Sequence, residues 1–381
     1  MKSFDAAKLW EILIPAHIPA AVTLAQELSR CVGLLRQQAG ALNTGCPVKD
    51  SESATPDDAV PFIVLNAEKE NRVHNGYSWR LGKERVELYG ESDRGLSNAV
   101  FDFLEALGFR WPSPDTETLP RPYKTSSEYR LDEDYAYHPS NADSLYRRLL
   151  FPGKDAPEIW EKEIVWAARN RIDALVFSLH NQVIWNKLTG LELKTFLFFF
   201  KKQQEAAPSS PIRDKLLTLA EQYALSIEMG GWDLTWFLPR SNFKRHQDMF
   251  RLDDGKRDRE HNFCATNSDT LNVVKEQAEK LFRLYPEIRV FHLWPARGYE
   301  KRWCACPTCR AFTLEEQNRI AVNTIADVLR AINAEARISY FENSSMRKDI
   351  AVRNNLFVVS RLPGETNAEA GGWFLKKSEE H

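Results

Sequence analysis

The segment from Arg289 to Arg310, RVFHLWPARGYEKRWCACPTCR, places the strongest constraint on what this chain can fold into. Its first part, Val290 to Trp294, has the length and the apolar character of a buried strand. A proline and a glycine then break the pattern, and a polar stretch with three cysteines follows. In α/β barrels every strand feeds its following loop to the same face, where binding sites are built. The segment therefore predicts both a fold class and the position of a site.

From about residue 140 onward, candidate strands alternate with helical patterns. The candidate strands are Ser144 to Leu149, Ala174 to Leu179, Leu225 to Met229, Ile288 to Trp294, Ala336 to Phe341 and Leu356 to Ser360. The helical patterns between them are Ala156 to Asn170, Ile212 to Tyr223, Thr270 to Tyr285 and Leu314 to Asn333. This alternation predicts right-handed parallel units, and no glycine-rich phosphate loop follows the first strand to indicate a dinucleotide fold. We therefore expect a (β/α)8-type TIM barrel.

The predicted barrel has six recognisable strands, so we expect it to be truncated after about the sixth. An unclosed barrel exposes the edge of a strand, and exposed edges pair readily with other chain segments. We expect the chain's own C-terminal segment to cover this edge, or another copy of the chain to do so by self-association.

The first part of the chain predicts a smaller α/β domain. Its candidate elements are strands at Trp10 to Ile14 and Phe62 to Leu65, a helix at Ala20 to Gln37, a hairpin at Tyr77 to Tyr89, and a helix at Leu96 to Leu107. Proline and polar residues accumulate after Gly108, as expected of a linker. We therefore expect an accessory α/β domain over residues 1–125 and a barrel domain over residues 135–381.

Charge and hydropathy exclude two classes of partner. The net charge is −2, which provides no global field to attract nucleic acid or anionic lipid. No run approaches the roughly 20 apolar residues that span a bilayer, and the N-terminal residues do not form a leader peptide. We expect a cytoplasmic protein without a nucleic-acid or membrane partner, or a secreted or periplasmic one if a leader is missing from the sequence.

Three cysteines in C-x-C-x2-C spacing, Cys304, Cys306 and Cys309, predict a metal site. Because structural zinc takes four ligands, Cys264 in the preceding inter-strand region is the candidate for the fourth. A reducing compartment disfavours disulfides, so we expect a structural four-thiolate zinc site. Two disulfides are the alternative in an exported protein. Nothing in the sequence indicates an organic cofactor.

Several segments resemble known families. Tyr77 to Pro114 resembles the N-terminal domain that precedes the barrel in α-glucuronidases and β-hexosaminidases. The segments HNFCATNSDT, FHLWPARGYEKRWCACPTCR and ISYFENS resemble the barrel of the uncharacterised-domain family 4838, some of whose members are endo-β-N-acetylglucosaminidases. The resemblance implies a glycoside hydrolase that acts on N-acetylhexosamine-containing glycans, by a mechanism in which the substrate's own acetamido group can assist.

Two positions depart from the pattern of that family. Where its members carry Asp-Gly after the fourth strand, this chain has Ala296-Arg297-Gly298, and where they tend to carry Gly-Gly-His after the third, it has Gly230-Gly231-Trp232. The first change removes a carboxylate and the second removes an imidazole. Two alternatives therefore remain open, a catalytically degenerate carbohydrate-binding homologue and a fragment of a longer glycosidase.

Polar residues at predicted strand ends are the candidates for glycan chemistry. Glu342 directly follows the fifth strand, which makes it the candidate proton donor for glycosidic cleavage. His180 and Asn181 end the second strand and Asp233 follows the third, so all three are candidates for binding sugar hydroxyls. Each of these residue types also occurs at strand ends for structural reasons alone.

Two tryptophans and an arginine complete the predicted sugar subsite. Trp232 and Trp294 each offer a flat apolar face to a sugar ring, although either could fill the end of the barrel core. Arg297 could pair with Glu342 or with an anionic sugar such as a uronate or sialate, and a solvated loop arginine is the plain alternative.

Overall fold

The computed structural model describes residues 2–41, 45–51, 60–68, 76–122, 127–131, 134–137, 147–151, 157–178, 211–294, 303–342, 349–360 and 376–377. Two compact units make up the chain. Unit 1 comprises Met1–Arg147, Asp155–Ala174 and Lys215–Ser226, and unit 2 comprises Arg148–Lys154, Leu175–Asp214 and Ile227–His381. Unit 1 thus includes two segments from within the sequence range of the predicted barrel. The domain limits of 1–125 and 135–381 stay a prediction.

Unit 1 is built from short strands and amphipathic helices. Its strands are β1 (Lys2–Asp5), β2 (Glu11–Ile14), β3 (Val48–Asp50), β4 (Phe62–Ala67), β5 (Tyr77–Leu81), β6 (Arg85–Gly90), β7 (Arg110–Ser113), β8 (Thr116–Thr118), β9 (Glu128–Leu131) and β10 (Tyr135–Tyr137). Its helices are α1 (Pro19–Gln38), α2 (Asp93–Leu107) and α3 (Pro157–Arg169), and α4 (Pro211–Gln222) enters it from unit 2. Within the described residues, six of these strands form one sheet in the order β10-β5-β6-β4-β2-β3.

Local sequence signals explain the limits of helix α2. The Ser92 side chain accepts a hydrogen bond from the backbone N–H of Gly95, which caps the first turn. The helix ends at Gly108, whose φ of 109° lies in the left-handed region that favours glycine. Residues of the strands beneath it alternate between buried and more exposed, as in β5, where Trp79 is buried and Arg80 is exposed.

In the part of the chain that the structure describes, unit 2 contains the remaining strands and two long helices. Its strands are β11 (Arg148–Leu150), β12 (Ala174–Ser178), β13 (Ser226–Trp232), β14 (Phe250–Asp253), β15 (Lys256–Phe263), β16 (Val290–Leu293), β17 (Arg337–Phe341), β18 (Leu356–Ser360) and β19 (Lys376–Lys377). Its helices are α5 (Ser268–Leu284) and α6 (Leu314–Ile332). Short 3₁₀ turns lie at Leu234–Phe237, Arg240–Lys244, Gln247–Met249 and Cys309–Ala311.

The main sheet of unit 2 has the strand order β11-β12-β13-β16-β17-β18-β19. The pairs β13–β16, β16–β17 and β17–β18 are parallel, so the carboxyl ends of these strands share one edge of the sheet. Strand β19 pairs antiparallel with β18, through Val359 with Lys377 and Ser360 with Lys376. The alternation of strands and helices predicted from the sequence is confirmed as a mixed α/β fold.

One extra residue interrupts the pairing of β13 with β16. Gly230 pairs with His292, but Trp232 pairs with Leu293, so Gly231 is the additional residue of a β-bulge. Gly231 has a φ of 100°, a conformation that a residue with a side chain adopts only at a cost. The glycine therefore allows β13 to change register next to the shared carboxyl edge.

An apolar core lies between one face of this sheet and helices α5 and α6. It contains Val274, Ala278 and Leu281 of α5, Ala321, Val322 and Ile325 of α6, and Met229, Phe291, Ile338 and Tyr340 of the strands. Burial of a valine, leucine, isoleucine, phenylalanine or methionine side chain stabilises the fold by about 1.5–3 kcal/mol. Because side chains alternate along a strand, the residues between these apolar ones lie on the opposite face of the sheet.

Helix α6 begins at a complete capping box. The Thr313 side chain accepts from the backbone N–H of Glu316 at 3.1 Å, and the Glu316 carboxylate accepts from the backbone N–H of Thr313 at 2.8 Å. The first turn of α6 is therefore fixed by residues within the turn itself. Among the helices of the described residues, none combines the length and the apolar character needed to cross a bilayer.

Candidate functional site

Four polar residues from four strands of unit 2 form a buried hydrogen-bonded group, called here the strand network. They are Arg148 of β11, Glu228 of β13, His292 of β16 and Ser339 of β17. Arg148 Nε donates to Glu228 Oε2 at 2.5 Å, His292 Nε2 lies 2.7 Å from the same oxygen, and His292 Nδ1 lies 2.5 Å from Ser339 Oγ. The glutamate and the histidine have no exposed surface. The network occupies the sheet face opposite to the helices.

The chemistry of the partners determines where the network protons lie. Burial raises the pKa of Glu228, but the Arg148 charge and the His292 hydrogen bond outweigh it and hold that pKa below its usual value. Burial lowers the pKa of His292. An ionised carboxylate only accepts, so the neutral imidazole donates from Nε2 to Glu228 and accepts at Nδ1 from the Ser339 hydroxyl.

One acceptor in the network remains available. Glu228 Oε1 is buried and has no hydrogen-bond partner within the described part of the chain. Leaving such an oxygen unpaired costs about 1–3 kcal/mol or more, because it has lost its water. The network is therefore costly to keep, and apolar residues would form a cheaper core at the same positions.

Trp294 lies beside the strand network at the carboxyl end of β16. A Cβ atom at Gly230 would lie 3.0 Å from Cζ2 of the Trp294 ring and 3.1 Å from Cβ of His292. Glycine at this position of β13 therefore gives the indole the space that it occupies. Trp294 as a residue is half-buried at the shared carboxyl edge.

Asp233, predicted to bind sugar hydroxyls, follows β13 at the same edge. Its carboxylate caps the next 3₁₀ turn by accepting from the Thr235 backbone N–H at 2.8 Å, and it also contacts the Thr235 hydroxyl. The backbone of Trp232 ends β13, whereas its side chain lies outside the described residues. His180, Asn181 and Arg297 also lie outside them.

Glu342, the predicted proton donor, lies on the helix side of the sheet. Arg319 of α6 donates from Nε to Glu342 Oε1 at 2.6 Å, and the two side chains are 13% and 5% exposed. A second nitrogen of Arg319 donates to the Ile350 carbonyl at 2.6 Å, which holds the guanidinium in place. The structure thus gives the Glu342 carboxylate an ion pair with a helix. The Trp294 ring lies next to the strand network, and Asp233 follows the end of β13, whereas Glu342 lies on the other face of the sheet.

The four cysteines of the predicted metal site lie together and are called here the thiol cluster. Cys264, Cys304, Cys306 and Cys309 are buried, and their sulfur atoms all lie within 4.8 Å of one another. Hydrogen bonds from the Cys304 and Cys309 thiols lower the pKa of Cys264, and the same coupling raises the pKa of Cys309.

The strand network contains residues that sequence reasoning missed. Arg148, Glu228 and His292 each lie within a predicted strand, where they read as interruptions of an apolar run. The available signal was their position, because a titratable residue in the middle of a buried strand needs a partner on the adjacent strand.

Solved structures with a similar fold are glycoside hydrolases. The chitobiase FjGH20 of Flavobacterium johnsoniae matches with a TM-score of 0.55 at 12% identity, over 94% of this chain and 52% of that chain. The GH20 β-N-acetylhexosaminidase of Streptomyces coelicolor A3(2) gives 0.51 at 12% identity, over 93% and 65%. The β-N-acetylhexosaminidase of Bacteroides fragilis NCTC 9343 gives 0.50 at 13% identity, over 94% and 68%. The chain spans about half to two thirds of their length, and similarity at this identity shows a shared fold.

The family follows from the sequence itself. The family described as a domain of unknown function, DUF4838, matches residues 151–346, which is more than half of the chain. The chain therefore belongs to this family, and the resemblance predicted from its thiol-rich segments is confirmed. No curated protein sequence is significantly similar to the chain.

Proposed function

We propose that this protein is a glycoside hydrolase-like protein that acts on N-acetylhexosamine-containing glycans. The glycan would bind at the carboxyl edge of the parallel strands of unit 2, against the Trp294 ring. The observation that supports this best is the strand network of Arg148, Glu228, His292 and Ser339 next to that ring. A sheet with only a structural role has no need of a buried ion pair and two further polar side chains spread over four strands, because apolar residues pack there at lower cost.

The side chains at this edge suit a sugar better than a highly charged polymer such as a nucleic acid. The faces of a sugar ring carry apolar C–H groups, which can stack on an indole, and the hydroxyls around the ring need nearby acceptors and donors. Trp294 offers the indole face, and Asp233 lies at the end of the neighbouring strand. His180, Asn181, Trp232 and Arg297 stay in the proposal as predicted subsite residues.

The N-acetylhexosamine part of the proposal comes from the proteins with a similar fold. Two of them are β-N-acetylhexosaminidases and one is a chitobiase. The finer fold is proposed on the same basis, a (β/α)8-type TIM barrel truncated after about six strands. Pairing of β19 with β18 supports coverage of the strand edge by the chain's own C-terminal segment, with self-association as the alternative.

A second candidate function is carbohydrate binding without hydrolysis. The ion pair between Glu342 and Arg319 favours it, because a proton donor must face the glycosidic oxygen and this carboxylate contacts a helix instead. Under the hydrolytic proposal Glu342 remains the predicted donor and must leave Arg319 in the substrate complex. Arg297 in place of a carboxylate also supports the non-hydrolytic candidate.

The two candidates can be separated by measuring binding and turnover on the same protein. Binding of N-acetylglucosamine oligosaccharides would be followed by calorimetry, and turnover with aryl N-acetylglucosaminide and N-glycan substrates. Stacking is worth about 0.5–1.5 kcal/mol, so Trp294→Ala should weaken binding by about 2- to 10-fold and Trp294→Phe by less. Leu9→Ala, which truncates an exposed apolar side chain in unit 1, is the control.

Each outcome of this experiment decides something. Turnover by the unmutated chain establishes the hydrolytic candidate, and binding without turnover establishes the second one. If the folded chain neither binds nor cleaves these sugars, or if Trp294→Ala binds them as well as the unmutated chain, the proposed site is wrong.

A further inference from the structure

We propose that the thiol cluster is a structural zinc site with four thiolate ligands, Cys264, Cys304, Cys306 and Cys309. Zinc bound to sulfur at about 2.3 Å in a tetrahedron requires neighbouring sulfur atoms about 3.8 Å apart. The Cys264 sulfur lies 3.7 Å from that of Cys306 and 3.6 Å from that of Cys309. All four sulfurs lie within 4.8 Å of one another, so a single ion can reach each of them.

The same distances do not suit disulfides. A disulfide brings two sulfur atoms to about 2.05 Å and leaves the other pair separate. Here the Cys264 sulfur is nearly equidistant from those of Cys306 and Cys309, and all four cysteines are free. Four groups that face one common centre, rather than two pairs, are the arrangement of a shared ligand.

Backbone N–H groups already point at the sulfur atoms. Leu252 and Cys306 each direct an N–H at the Cys304 sulfur, at 3.4 and 3.5 Å, and Cys309 directs one at the Cys306 sulfur at 3.4 Å. Such bonds stabilise thiolates, the form that binds a metal. The Arg257 guanidinium lies 3.9 Å from the Cys304 sulfur and supplies positive charge. Zinc and four thiolates leave two negative charges, which these donors would offset.

The surrounding contacts hold the ligand segment in place. Gln317 of α6 accepts from the Cys304 backbone N–H at 3.1 Å and donates to the Cys309 carbonyl at 3.3 Å. Ala305 donates its N–H to the Leu252 carbonyl at 2.8 Å, which joins the segment to strand β14. Because all four ligands come from the protein and are buried, no position remains open for a substrate. The site is therefore structural rather than catalytic.

The proposed zinc would join two parts of unit 2 that are distant in sequence. Cys264 directly follows β15, and the other three ligands lie between β16 and α6. The zinc would stabilise the connection after β16, the strand whose end places Trp294 at the proposed glycan site. This inference stands independently of any glycan chemistry, because its ligands and its test do not involve a sugar.

Metal analysis of the full chain, purified reduced and without chelators, tests the proposal. We expect about one zinc per chain by elemental analysis. Cys264→Ser and Cys309→Ser should lower the zinc content severalfold. Cys31→Ser and Cys46→Ser are matched controls, because both thiols are buried away from the cluster, where burial raises the pKa of each to about 12, and they should keep the metal.

Replacement of zinc by cobalt(II) in the unmutated chain gives a readout that needs no variant to fold. Four thiolates around cobalt(II) produce intense thiolate-to-metal charge-transfer bands and the visible bands of tetrahedral coordination. Absence of zinc in the reduced protein together with absence of these bands would overturn the proposal. An intact mass lower by two hydrogens for each of two disulfides, in protein prepared without reductant and free of metal, would also overturn it.

Discussion

Two glutamates of unit 2, Glu228 and Glu342, have largely buried side chains that pair with an arginine, and the face of the sheet that each occupies sets them apart. Glu228 lies in the strand network, opposite to the helices, where Arg148 and His292 from neighbouring strands bond it. Glu342 lies on the helix side, where Arg319 bonds it. Each carboxylate is thus buried with a guanidinium partner. The comparison teaches that burial and pairing with an arginine do not distinguish the two acids, whereas the face of the sheet and the neighbouring groups do.

Removing Glu228 should have the largest effect on stability. Glu228→Ala leaves Arg148 and His292 buried without their acceptor, and losing one partner of a buried ion pair costs about 3–5 kcal/mol. Thermal unfolding and hydrogen exchange of β13 and β16 would measure the loss. A change below about 0.5 kcal/mol would show that the network adds no stability as it is described.

An apolar replacement of the whole network serves as its control. Arg148→Met, Glu228→Leu and His292→Phe combined remove every charge at once, so we expect stability to recover relative to Glu228→Ala. If the network exists for ligand binding, this variant should be folded but should not bind N-acetylglucosamine oligosaccharides. Binding that survives the replacement would contradict a functional role for the network.

The ion pair between Glu342 and Arg319 should contribute less to stability than Glu228 does. A double-mutant cycle with Glu342→Gln and Arg319→Met should give a coupling of about 0.5–3 kcal/mol, because the two side chains touch and are largely buried. The same variants test the predicted proton donor. Loss of turnover in Glu342→Gln but not in Arg319→Met would assign the donor to Glu342, and an equal effect of both variants would assign the pair to structure alone.

The strand network should also make the free energy of unfolding depend on pH, and we expect this effect to be smaller still. Burial lowers the pKa of His292 below 6.5, so between that lowered value and 6.5 the unfolded chain binds a proton that the folded chain does not. The stability from His292 is fully present above about pH 6.5 and is lost as the pH falls through the lowered pKa. The slope can reach about 1.4 kcal/mol per pH unit.

Unfolding midpoints between about pH 8 and pH 5 would measure this dependence, with His292→Gln as the comparison. We expect the variant to show a flatter profile in that range. Because the pKa of Glu228 is lowered, stability should fall a second time below pH 4.5. His292→Gln should weaken this second fall but not remove it. A profile that His292→Gln leaves unchanged would show that this histidine is not the group that titrates.

Sequence patterns predicted the strands of unit 2 because apolar runs bounded by turn residues are a local property. The runs that include His292 and Ser339 form β16 and β17, and the spacing of Cys304, Cys306 and Cys309 predicts the grouping of these thiols that the structure shows. Each of these signals depends on residues that are close in sequence.

Contacts between strands could not be predicted in the same way. The partner of Glu228 depends on strand order and register, and in β13 the extra residue Gly231 changes that register. The sequence does contain a signal for the face on which Glu342 lies. Glu342 continues the alternation of Ile338 and Tyr340, both of which pack against the helices.

The capping box of α6 affects the order in which the proposed zinc ligands come together during folding. Thr313 and Glu316 fix the first turn of this helix only a few residues after Cys309, and helices form within about a microsecond once nucleated. A ligand segment anchored to such a helix presents three thiols before the distant Cys264 arrives. We therefore expect the metal to be captured early by Cys304, Cys306 and Cys309 and retained later by Cys264, so Cys264→Ser should shorten the lifetime of the bound ion more than it slows its uptake.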